Sequence, residues 1–177
     1  MKALLSALLP VLLLALSQPA WAGKAHQHGV AQLDVAVEPT RLSLVLETPL
    51  DSLLGFERAP RNDAERAAVD KALARLRAAE QIFRIDSAAG CTLDKVVLVA
   101  PVLGLGPMPA GADKGEHAEL TGTFDFNCKA GNSARFVEVE LFEAFAPMKR
   151  INLQLVLARG QMKATLVRPA TRVALAR

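Results

Sequence analysis

The chain has 177 residues, a formal net charge of +3 and 51% hydrophobic side chains. That is enough apolar surface for one core of ordinary size and too little length for several domains. Its 21 basic side chains are scattered, and with no Tyr and a single Trp it lacks the stacking aromatics and basic stripe of a nucleic-acid binder.

Met1-Lys2 precedes an apolar run over 3–16, interrupted only by Ser6 and Pro10, and then Ala20-Trp21-Ala22. A charged start, an apolar middle and a small-residue triplet are the order of a secretory signal peptide, and the run falls short of the about 20 apolar residues of a membrane-spanning helix. The reading is a signal peptide over 1–22 and a single exported domain over 23–177. No later segment is apolar enough to span a bilayer, so no membrane span is expected after cleavage.

Ala31, Leu33, Val35 and Val37 alternate with Gln32 and Asp34, the period of a half-buried strand. Glu38-Pro39-Thr40 makes a turn, and Leu42, Leu44 and Leu46 then alternate with Arg41, Ser43 and Glu47 to complete a hairpin. Pro49 ends that strand, and 50–60 reads as an irregular apolar connection containing Gly55-Phe56-Glu57. A helix is expected from Asn62, which caps it, with Glu65 completing a capping-box pattern. Val69, Leu73, Leu76 and Phe83 fall on one helical face. Residues 93–100 read as a short buried strand, and the Gly- and Pro-rich 101–115 as a long loop.

Alternation resumes at His117. Ala118, Leu120, Phe124, Phe126 and Cys128 face inward; His117, Glu119, Thr121, Thr123 and Asp125 face outward. Three further inner rows follow: Val137, Val139 and Leu141; Ile151, Leu153, Leu155 and Leu157; Met162, Ala164 and Leu166. About seven strands, mostly antiparallel, with one main helix make an α+β domain. Cys91 and Cys128 are the only cysteines. In an oxidising compartment they pair as a disulfide, whose loop of about 38 residues stabilises the fold by about 4 kcal/mol. The alternative, a cysteine-based metal site, has no second ligand pair nearby.

The chain has three histidines. In extended backbone His26 and His28 lie on the same side. If the first strand's phase runs back through Gly29, they share the polar face of Gln32 and Asp34 and can chelate zinc, nickel or copper. His117 stands at the foot of the long loop between Glu116 and Glu119. If its strand neighbours the first, His26, His28 and His117 with Glu116 or Glu119 form a four-ligand metal site. The competing reading makes these histidines solvated surface residues. Asp51, Glu57, Asp63 and Glu65 read as helix-capping or surface carboxylates, Glu57 as a paired structural one. No Gly-x-Ser-x-Gly, His-Glu-x-x-His or phosphate-cradling loop occurs, so no enzymatic activity is expected.

Four segments occur in a recognisable order: His28-Gly29-Val30-Ala31-Gln32-Leu33-Asp34-Val35-Ala36; Pro49-Leu50-Asp51-Ser52-Leu53-Leu54-Gly55-Phe56-Glu57; His117 through Phe124-Asp125-Phe126-Asn127-Cys128; and Leu141-Phe142-Glu143-Ala144-Phe145. In that order the chain resembles the ZrgA-type periplasmic zinc-uptake accessory proteins of Gram-negative bacteria. The resemblance implies a periplasmic location, zinc as the metal and a zinc-import transporter as partner. Family members carry a His/Asp-rich stretch in the loop that is 103–116 here, and this loop holds no histidine; Arg58 stands where they often have histidine. The function expected is therefore low-capacity zinc binding that assists zinc uptake. The alternative is a metal-independent periplasmic interaction module, docking through an apolar surface at Leu53, Leu54 and Phe56.

Overall fold

A computed structural model of the chain describes residues 27–107 and 118–175; the signal-peptide segment lies outside them. Strands β1 (Val30–Val37) and β2 (Arg41–Pro49) form the expected antiparallel hairpin, with Val35 opposite Leu44 and Gln32 opposite Glu47. On its other side β2 pairs with β5 (Glu119–Cys128), and β5 with β4 (Cys91–Val99). Across the first hairpin, β1 pairs in parallel with β7 (Arg150–Leu157), which turns back into β8 (Gly160–Val167). The result is a six-stranded sheet in the order β4-β5-β2-β1-β7-β8. Period-two alternation makes it one-sided: Leu33, Leu44, Leu46, Phe124 and Ile151 are fully buried, while the opposite face is polar.

The buried face is covered by a second layer. It contains α1 (Asp51–Leu54), α2 (Asp63–Arg77), α3 (Ala79–Ile82), α4 (Leu141–Ala144) and a small sheet of β3 (Phe83–Ile85), β6 (Phe136–Val139) and β9 (Arg172–Ala174). Phe83 of the small sheet meets Phe124 of the large one with ring centroids 4.9 Å apart, within the range of a favourable tilted aromatic pair. Helix α2 contributes a buried stripe of Val69, Ala72, Leu73 and Leu76, its expected apolar face. Among the described residues no helix is long and apolar enough to cross a membrane.

At the start of α2, Asn62 accepts the Glu65 N–H at 2.9 Å, as expected of a cap. The Glu65 carboxylate takes the Arg61 N–H at 2.7 Å instead of Asn62's own, and binds Arg58 through both oxygens at 2.7 and 2.9 Å. These contacts, the Arg58 hydrogen bonds foremost, lower its pKa to about 2. A depressed carboxylate pKa stabilises the fold above its ordinary range, and the contribution is lost as pH falls toward the folded value. Circular dichroism across acid pH is therefore expected to show Glu65→Gln removing stability at neutral pH and little by pH 2.

The fold departs from expectation at identifiable places. Among the described residues there are nine strands where about seven were expected, because β3 and β9 are three residues long and too short to display alternation. Phe83 opens β3 instead of extending the helical face, since α2 ends at Arg77. Leu141 starts α4 and does not continue a strand. The segment read as a buried strand over 93–100 belongs to β4, one of the sheet's two edge strands, with Val97 and Val99 38% and 39% exposed. The connection after Pro49 contains a helical turn, and Leu53 is buried with Leu54 and Phe56 packed partly into the core. It is not an open docking surface. The disulfide is as expected: Cys91 and Cys128 sit directly opposite in the β4–β5 ladder and are bonded.

Candidate metal centre

His28 lies in a tight turn closed by the Val30 N–H donating to the Gln27 carbonyl at 3.0 Å. The turn's third residue is Gly29 at φ +77°, where a Cβ would also stand 3.1 Å from the Lys149 side chain and the Pro147 carbonyl. Glycine adopts such a φ without strain. This reversal interrupts the strand's phase. His28 therefore does not continue the face of Gln32 and Asp34; it swings toward the end of β2.

The hairpin register explains what it meets there. The pairing that sets Gln32 opposite Glu47, continued outward, brings position 28 level with position 51. Asp51 is the first residue of α1. Gly55 ends that helix at φ +82°, and the reversal returns Glu57 to the same place. His28 Nδ1 is hydrogen-bonded to Asp51 and lies 3.8 Å from Glu57 Oε1. One donor atom from each of the three residues falls within 4.8 Å of the others. The His28 side chain is 70% exposed and the two carboxylates 18% and 19%, so the group is firmly seated on one side and open to water on the other.

Two neighbours hold this geometry. Buried Ser52 accepts the Gly29 N–H at 3.0 Å and donates to Asp51 Oδ1 at 3.2 Å, joining the histidine turn to the carboxylate helix. Arg58 lies 5.0 Å over the Phe56 ring while paired to Glu65, which fastens the chain beyond Glu57 to α2. The hydrogen bond to Asp51, then the charges of Asp51 and Glu57, raise the His28 pKa above its ordinary 6.5, against an opposing effect of Lys149.

One imidazole nitrogen and two carboxylate oxygens form a donor set zinc accepts, with ligand bonds of about 2.0–2.2 Å. The His28–Glu57 separation of 3.8 Å is slightly wider than the roughly 3.4 Å between two ligand atoms around a tetrahedral ion, so a small side-chain adjustment would bring both onto one cation. A bound cation would take the place of the proton that His28 and Asp51 share. The solvent-facing side leaves a position for a further ligand.

Of the residues named from sequence, His28 is in the group. His26, Glu116 and His117 lie outside the described residues. Glu119 is exposed at the start of β5, opposite Pro49, and is not one of the converging three. The strand it begins neighbours β2 and not β1. Sequence reasoning missed Asp51 and Glu57 as members of this group; the hairpin register was the signal that pairs Asp51 with His28.

Residues 25–175 match the family described as ZrgA family zinc uptake protein. The chain belongs to that family. Its matched span includes both sheets and all three residues of the centre, and its role is in zinc uptake. Comparison with curated proteins finds no match. In this ZrgA-family chain Gly55 earns its place through backbone conformation, because nothing lies within 4 Å of where its Cβ would stand. Gly55→Ala is expected to cost about 1 kcal/mol in urea unfolding and to weaken zinc binding by displacing Glu57. An unchanged zinc titration would show that Glu57 is not held by this turn.

Proposed function

We propose that the chain is a non-enzymatic periplasmic protein that binds zinc at His28, Asp51 and Glu57 and hands it to a zinc-import transporter. The convergence of these three donors from separate segments, within 4.8 Å, carries this reading. The signal-peptide pattern at the N-terminus and the Cys91–Cys128 disulfide support an oxidising, extracytoplasmic setting. Membership of a zinc-uptake family supports zinc over the copper or nickel that the same donors would take.

His26 and His117 are proposed as additional nitrogen donors. His26 is two residues from His28, and His117 is bonded to Ala118, whose carbonyl accepts the Leu50 N–H beside Asp51 at 2.8 Å. With no histidine over 103–116, capacity is low, roughly one ion per chain.

Calorimetric titration with zinc tests the proposal. One saturable site of micromolar affinity or tighter is expected, and no saturation below a millimolar overturns it. Zinc requires neutral imidazole. Because the His28 pKa is raised, the free site holds its proton to higher pH than an isolated imidazole does. Affinity should fall as pH drops through that raised value, with a proton released per ion bound on the acid side. Titrations in buffers of different ionisation enthalpy count that proton.

A further inference from the structure

The two outer strands of the large sheet differ in how they end it. Strand β4 carries a register shift between Leu93 and Lys95 and is followed by Pro101, devices that blunt an edge. Strand β8 lacks the register shift, although Pro169 follows it as Pro101 follows β4. It pairs with β7 without interruption from Gly160 to Val167 and contains no proline. The β7–β8 turn has two residues, with Leu157 opposite Gly160. In such a hairpin the flanking pair is hydrogen-bonded and alternate residues turn their amides outward. Gln161, Lys163, Thr165 and Val167 therefore direct their N–H and C=O groups to the open edge.

Both sides of this edge show unfinished burial. On the core side Met162 and Ala164 are only half-buried, and Leu157, Met162 and Leu175 line a depression of about 320 Å³. On the polar side Val167 is 49% exposed.

We propose that the β8 edge is a homodimer seam, in which two copies pair antiparallel about a two-fold axis at Ala164. An axis normal to the sheet keeps core face with core face only when residues of equal parity oppose, and the sequence then selects the centre. A centre at Lys163 would set two ammonium groups face to face, an unfavourable cross-strand pair. A centre at Thr165 would shorten the ladder. A centre at Ala164 places Lys163 opposite Thr165, Met162 opposite Leu166 and Gln161 opposite Val167. All four outward residues of each copy then meet outward residues of the other, giving about eight main-chain hydrogen bonds. Met162 and Ala164 become covered, and the two sheets merge into one.

Sedimentation equilibrium of the full-length product, purified after export, tests the seam. A concentration-dependent dimer is expected. Thr165 is exposed, so charge at this position does not touch the core. Thr165→Lys faces Lys163 twice across the axis and should weaken the dimer about tenfold; Thr165→Glu should tighten it about tenfold. Register is read independently by oxidation. Ala164→Cys opposes itself at a non-hydrogen-bonded position with Cα atoms about 4.5 Å apart, within disulfide reach, and should cross-link, whereas Lys163→Cys should not. A monomer at every concentration, charge variants shifting the same way, or equal cross-linking by both cysteines would each overturn the proposal.

Discussion

Replacing His28 by alanine is expected to lower zinc affinity by more than about 100-fold, beyond the 10–100-fold typical of losing a supporting hydrogen bond to a ligand. His28 supplies the sole nitrogen of the converging group, and imidazole is what makes the donor set suit zinc over hard cations. The remaining pair, Asp51 and Glu57, offers only carboxylate oxygen, which suits calcium or magnesium. His28→Ala should therefore also narrow the preference for zinc over calcium. Ser52→Ala provides the graded comparison. It removes the hydroxyl joining the Gly29 amide to Asp51 while leaving every ligand in place, so a loss within 10–100-fold at unchanged stoichiometry is expected. Competition against a chelator of known affinity measures both. A His28→Ala chain that titrates like its parent would place the zinc on other residues.

Loss of the disulfide, in a Cys91→Ser/Cys128→Ser chain, should lower unfolding free energy by about 4 kcal/mol, a large share of a domain's usual 5–15 kcal/mol. The bond joins opposed residues at one end of an edge strand. Strand β4 has a single ladder and a bulge within it, so without the bond it frays from Cys91. Urea unfolding with and without reductant gives the difference; a loss under about 1 kcal/mol would show that the unfolded chain gains little freedom when the loop is opened. Zinc affinity under native conditions should not change. Cys128 donates its N–H to Thr40 at the β1–β2 turn, at the opposite end of that hairpin from His28 and Asp51.

Most of the large sheet was legible because burial on one face writes a period of two into the chain. Strands β1, β2, β5, β7 and β8 each alternate clearly. The edge status of β4 was not legible: a run such as Val96-Val97-Leu98-Val99 reads as two-sided burial, and only sheet order shows that one side is open. Nor was the parallel pairing of β1 with β7, which no local pattern encodes. In the metal centre, His28 was visible as a donor, but its direction was misread because strand phase was carried through Gly29, where the backbone turns over. Asp51 and Glu57 looked like capping and surface carboxylates. Their convergence with His28 emerges only when the turn at Glu38-Pro39-Thr40 is followed to its register, and when Gly55 is seen to reverse the chain.

The placement of β1 has a kinetic consequence. It is the first described strand, yet it occupies the interior of the sheet, between β2 and β7. Its hairpin with β2 forms early from local contacts, but its other side waits for Arg150–Leu157, near the far end of the chain. Closing so distant a pair makes folding slow relative to the hairpins. Until then the β1–β2 hairpin offers an unpaired edge to any neighbouring chain. Chains truncated before β7 should therefore associate through the bare edge of β1, while those carrying β7 cover that edge within the chain.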